Sequence, residues 1–176
     1  FEFNAKHHKG HGVHSPFVFS FVEDILNEKN EYYAYKEIES ARRNLLADNS
    51  TIFVNDHGTG TSRERKVSEI ARTSLKCKKE SQMLFRFACL MQPTNILELG
   101  TSLGITTLYL AKARTSANIH TIEGCPNIAK IAKQNFKNLG AKNITSIVGN
   151  IDTELPKILS KTESLDMVFF DANHTK

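Results

Sequence analysis

The chain has 176 residues, of which 40% are hydrophobic and 24% charged, enough apolar material for one globular domain with a real core. The net charge of +4 suits an anionic or nucleotide-like ligand, but it equally suits a solvated basic surface and does not demand nucleic acid. No apolar run approaches the ~20 residues of a membrane-spanning helix, so no membrane partner is expected. Phe1 to Gly12 is polar and rich in His and Lys, unlike a signal peptide. Cys77, Cys89 and Cys125 fit neither a zinc site nor a disulfide framework and read as reduced thiols of a cytoplasmic protein.

The first half of the chain reads as mostly helical. Ser15-Pro16 supplies a cap and a first-turn proline for a helix over Phe17 to Leu26. A second helix is expected over Tyr32 to Leu46. Thr51 to Asn55 is a short β-rich run followed by the turn Asp56-His57-Gly58-Thr59-Gly60. Arg63 to Thr73 then reads as a basic helical stretch. Ser81 to Met91 places Met83, Leu84, Phe87, Leu90 and Met91 on one helical face, and Pro93 ends it. His7, His8, His11 and His14 are either a metal-binding cluster or a lead-in to the first helix. Arg63, Arg65, Lys66, Arg72, Lys76, Lys78 and Lys79 form either a solvated face or, if clustered, a phosphate-binding one.

From Asn95 onward strands and helices alternate. Strands are expected over Asn95–Leu99, Asn118–Ile122, Asn143–Val148 and Leu165–Phe170. Helices are expected over Ile105–Ala113, Asn127–Asn138 (closed by Gly140) and Leu155–Leu159. This alternation with short linkers predicts a Rossmann-like parallel sheet with flanking helices, and the nearly continuous apolar strands predict helices on both faces. The chain thus divides into a mostly helical cap or lid region, 1–92, and an α/β core, 93–176.

Ligands in such sheets bind at the carboxyl ends of the strands. The first strand runs into Glu98-Leu99-Gly100-Thr101-Ser102-Leu103-Gly104, with a helix opening at Gly104. Glycines there let backbone approach a ligand closely, and the helix start offers free N–H groups. A P-loop would need a Lys before the Ser/Thr, and a dinucleotide turn would need G-x-G-x-x-G; neither is present. What remains is an ordinary tight turn or a nucleoside-cofactor turn of the E-x-G-x-x-x-G type. The second strand ends in Glu123-Gly124. Glu123 lies 23 residues beyond Gly100, and its carboxylate suits the two hydroxyls of a ribose or, alternatively, the dipole of the next helix. After the third strand, Gly149-Asn150-Ile151-Asp152 offers either an adenine neighbour or a simple helix cap. The fourth strand ends in Asp171-Ala172-Asn173-His174. Asp171 is a candidate oxygen ligand for a divalent cation, and His174 a candidate general base or a surface histidine.

Taken in order, these four strand ends resemble the class I S-adenosylmethionine-dependent methyltransferases, and among them the catechol O-methyltransferase-like small-molecule group. The resemblance covers roughly Leu84 to His174. It implies methyl transfer from S-adenosylmethionine to an oxygen of a small-molecule acceptor, and it allows a homodimer. It further implies that Glu98, Gly100, Thr101, Ser102 and Gly104 surround the methionine part and that Glu123 and Gly124 hold the ribose. Asn150 and Ile151 would neighbour the adenine. Asp171 would lie beside the cofactor, with a catalytic role shared with His174, and would be the metal-ligand candidate for a cation such as Mg. The group's catalytic Lys after this acid is replaced here by His174. An RNA-directed methyltransferase or nucleic-acid-binding module, and a nicotinamide-dependent oxidoreductase, are the alternatives to this reading. The fold usually carries seven strands, so a core of four is expected to be truncated after the fourth, or to have its apolar edge covered by a partner.

Overall fold

The computed structural model describes residues 15–55 and 62–172. The first half begins with helix α1 (Pro16–Ser20), capped by the Ser15 hydroxyl, which runs directly into a wider π-helical turn over Phe21–Leu26. Helix α2 (Tyr35–Ala47) follows. Strands β1 (Thr51–Asn55) and β2 (Ser62–Lys66) pair antiparallel, with Phe53 opposite Glu64 and Val54 opposite Arg63. Helices α3 (Val67–Ser74) and α4 (Lys78–Met91) complete this half. The turn expected at Asp56–Gly60 and the histidines before Ser15 lie outside the described residues.

Two expectations are corrected here. Arg63 to Lys66 is strand, not helix: pairing with the neighbouring β1 satisfies its backbone, and this outweighs the low strand propensity of charged residues. The basic residues are therefore divided among a strand, two helices and a loop rather than sharing one face. On α4 the fully buried positions are Ser81, Phe85 and Ala88, with Arg86 beside them, while Met91 is exposed. The expected stripe missed Phe85 because this helix is covered on more than one side.

The second half alternates as expected: β3 (Asn95–Leu99), α5 (Ile105–Ala113), β4 (Asn118–Glu123), α6 (Pro126–Asn138), β5 (Ile144–Val148), α7 (Ile151–Leu159) and β6 (Met167–Phe170). The four strands are parallel, in the order β5-β4-β3-β6. Side chains alternate across the sheet. Ile96 and Ile119 pack with Leu110 and Ala111 of α5, whereas Leu97, Leu99 and Ile122 pack with Ile158 of α7 on the other face. Ile105 to Ala111 is buried throughout, because α5 lies between the sheet and the amino-terminal helices. β5 and β6 are the edge strands of this sheet, and Val168 and Phe170 are exposed on β6. Among the described residues, no helix is long and apolar enough to cross a membrane.

The two halves share one core. Tyr35 of α2, Phe85 of α4 and Tyr109 of α5 stack edge to face, with ring centroids 5.2 to 6.3 Å apart. Arg42, almost fully buried on α2, bonds Glu39, the Lys76 carbonyl and the Ser81 hydroxyl, and Glu39 accepts from the Tyr109 hydroxyl at 2.8 Å. Arg86 donates to the Ile25 carbonyl and so ties the π-helical turn to α4. Phe85→Ala should therefore lower stability by about 3–5 kcal/mol while leaving a single cooperative unfolding transition. Urea unfolding followed by both far-ultraviolet circular dichroism and tyrosine fluorescence tests this: two separated transitions would contradict a shared core.

Candidate functional site

The carboxyl ends of β4, β3 and β6 lie side by side, and the glycine turn sits between them. Gly100 has φ +98° and Gly104 φ +83°, a region that favours glycine. A Cβ on Gly100 would stand 2.6 Å from the Asp171 carbonyl oxygen, and one on Gly104 would stand 2.5 Å from the Phe136 ring. Both glycines thus serve close approach, one to the chain leaving β6 and one to α6. Ser102 also adopts a positive φ, of 48°. The turn is hung on the sheet by the Gly100 and Thr101 N–H groups, which both donate to the Ile122 carbonyl.

Glu123 meets this turn directly. Its Oε2 accepts from the Ser102 N–H at 2.8 Å, and its Oε1 accepts from the Cys125 N–H at 2.9 Å at the start of α6. The carboxylate therefore bridges the tips of two adjacent strands, lying against the glycine turn and serving a helix start.

Glu98 is fully buried and points to the α5 face of the sheet. Its Oε2 accepts from the Thr107 hydroxyl at 2.5 Å and the Thr121 hydroxyl at 2.7 Å, while its Oε1 has no partner. Thr101, also buried, bonds Thr121 at 2.6 Å. Burial pushes the Glu98 carboxyl up to about 7, with the two threonine hydroxyls pulling it back and Asp171 and Glu123 pushing it further. The Ser102 hydroxyl is a second buried polar atom at the turn without a partner.

The remaining expected residues fall around these. Gly124 is half-buried beside Glu123. The Gly149 N–H donates to the Glu123 carbonyl, which sets the β5 end beside that of β4. Asn150 caps α7 by accepting from the Asp152 N–H at 2.7 Å, and Ile151 is half-buried against the α7-side core. The backbone of Asp171 continues the β6 ladder by donating to the Leu99 carbonyl, and its Oδ1 lies 2.8 Å from the Lys76 ammonium. This pairing raises the Lys76 pKa. Among the described residues no group of three or more His, Cys, Asp or Glu is placed to hold a metal ion. His174 lies outside the described residues.

Three side chains were missed by reading the sequence. Thr107 and Thr121 have a recoverable signal, since a buried Glu needs polar neighbours and Thr121 stands opposite Glu98 in the β3–β4 register. Lys76 lay unmarked among the basic residues. Of those seven, Arg65, Lys76 and Lys78 pair with Glu69, Asp171 and Glu31 within the chain, which weighs against one phosphate-binding face.

Comparison with known proteins fits this geometry. Residues 97–176 match the methyltransferase domain family. A catechol O-methyltransferase from Niastella koreensis is 32% identical to the chain over 97 residues, covering 53% of this chain and 44% of that protein. The O-methyltransferase hkm8 of Aspergillus hancockii is 36% identical over 92 residues, 51% of this chain and 35% of that protein. The chain thus spans less than half the length of these curated relatives. The structure of the O-methyltransferase TomG from Streptomyces achromogenes, solved in complex with SAM, superposes with a TM-score of 0.59 at 24% identity, covering 82% of this chain and 55% of that one. That likeness shows the fold, and it extends beyond residues 97–176 into the helices that precede them.

The buried Glu98 gives the domain a pH signature. Its folded-state value lies above the ordinary 4.5, so the folded protein retains a proton that the unfolded chain releases, and stability falls as pH rises from about 4.5 to 7. The loss should be on the order of 3 kcal/mol. In Glu98→Gln, which still accepts from both threonines, urea midpoints at pH 5 and pH 7.5 should lie closer together than in the unmodified protein.

Proposed function

We propose that the chain binds S-adenosylmethionine at these strand ends and belongs to an enzyme that methylates an oxygen of a small molecule. The observation that carries this is the 2.8 Å bond between the Glu123 carboxylate and the Ser102 N–H, which sets an acid and a glycine turn side by side at neighbouring strand tips. The spacing suits one nucleoside held at both ends. The unpartnered Ser102 hydroxyl supports the fit.

When bound, the cofactor supplies a methyl group on a positively charged sulfur. The chain's own residues then do the rest. Glu123 offers carboxylate oxygens as acceptors for ribose hydroxyls, with Gly124 leaving room beside it. Gly100 to Gly104, backed by Glu98, line the methionine side. Asn150 and Ile151 border the adenine side from the start of α7. Asp171 lies at the tip nearest the turn, and His174, three residues on, takes the proton of the acceptor hydroxyl. Alignment and exclusion of water supply most of the rate, because the donor is already activated. The described residues do not make a divalent-metal site, with Asp171 engaged by Lys76, and no step is routed through one. The acceptor is a small molecule and the location cytoplasmic, and the ion pairs of Arg65, Lys76 and Lys78 within the chain weigh against a nucleic-acid partner.

Titration calorimetry with S-adenosylhomocysteine tests the reading. Glu123→Ala should weaken binding roughly 10- to 100-fold, the loss of a charge-assisted hydrogen bond worth about 1.5–3 kcal/mol. No binding at all by the folded, full-length protein would overturn the proposal.

A further inference from the structure

Lys76 stands apart from the rest of the basic stretch. It belongs to the loop between α3 and α4, yet its ammonium reaches the tip of β6 and contacts Asp171 at 2.8 Å. Its backbone is held from behind, since the buried Arg42 guanidinium donates to the Lys76 carbonyl at 2.6 Å and is itself fixed by Glu39 and Ser81. The amino-terminal helices thus aim one cation at the three acidic strand tips formed by Glu98, Glu123 and Asp171. These acids sense one another, since Asp171 and Glu123 both disfavour ionisation of Glu98. The Lys76 side chain remains 38% exposed, so it is not buried by the contact.

We propose that Lys76 sets the charge selectivity of the cofactor site, lowering the negative potential at the strand tips and thereby narrowing the preference for a sulfonium ligand over its neutral thioether counterpart. This rests on the reading of the glycine turn and Glu123 as the cofactor site. S-adenosylmethionine and S-adenosylhomocysteine differ there by one methyl group and one positive charge. A nearby ammonium opposes the charged form and is indifferent to the neutral one. Lys76 therefore disfavours the ligand before methyl transfer relative to the state in which sulfur has lost its charge, which is the direction that assists transfer. Asp171 is the counterweight, and the pair together fixes the balance.

Calorimetry with both ligands on the full-length protein, unmodified and as Lys76→Met, Lys76→Arg and Asp171→Asn, reads this out as the ratio of the two Kd values. Lys76→Met should shift the ratio toward S-adenosylmethionine by about 3- to 10-fold, as expected for one unit charge several ångströms away near a protein surface. Lys76→Arg should keep the original ratio, and Asp171→Asn should move it the opposite way. A purely structural role would change both affinities together, so an unaltered ratio in Lys76→Met overturns the inference while leaving the cofactor site standing. Failure of the unmodified protein to bind either ligand would remove the site and the inference together.

Discussion

The chain leaving β6 passes so close to Gly100 that only hydrogen fits between them. A side chain there would press on the Asp171 carbonyl at 2.6 Å, and the positive φ would strain any other residue. Because the two segments touch, the β3–β6 ladder extends past the strand itself, through the Asp171 N–H to the Leu99 carbonyl. The same turn swings the Ser102 N–H toward β4, where Glu123 accepts it. One glycine thereby sets the spacing among three strand tips, and each functional proposal above uses that spacing.

The amino-terminal helices are part of the same arrangement. A guanidinium as buried as Arg42 is costly to desolvate, and its contacts with Glu39, Ser81 and the Lys76 carbonyl offset that cost without making it a large source of stability. What such a network does well is fix geometry. Here it holds the loop that carries Lys76 against α2 and, through Glu39 and Tyr109, against α5. Since α5 begins at Gly104, a residue on the first long helix is linked to the glycine turn by a short chain of packed and hydrogen-bonded groups.

The sequence made the carboxyl-terminal half legible because its signals are local. Apolar runs ending in Gly100, Glu123 and Gly149 mark strand ends, and the bounds of α5 match the expected Ile105–Ala113 residue for residue. The acid and the turn were also readable, since chemistry at a strand tip follows from residue type and spacing. What was not readable depends on long-range pairing. Arg63 to Lys66 became a strand because β1 lay ready beside it. Phe85 was hidden because its partners, Tyr35 and Tyr109, come from two other helices. Lys76 meets Asp171 across 95 residues of chain, and nothing in the local pattern of either announces it.

Three carboxyl groups at adjoining strand ends would ordinarily repel one another, and each is accommodated by different means. Glu98 is withdrawn from water, and burial pushes its carboxyl up so that the uncharged form is favoured relative to an exposed glutamate. Glu123 lies half-buried and accepts from two backbone N–H groups. Asp171 is matched by an ammonium from the other half of the chain. Of the three, Glu98 is too deeply buried to touch a bound ligand, so its effect on the site passes through Thr107 at the start of α5 and through Thr121, which also bonds Thr101 in the turn. Glu123 and Asp171 lie nearer the surface, one accepting from the backbone N–H groups of the turn and of the α6 start and the other paired with an ammonium, so the β4 tip is met by backbone donors and the β6 tip by a side chain.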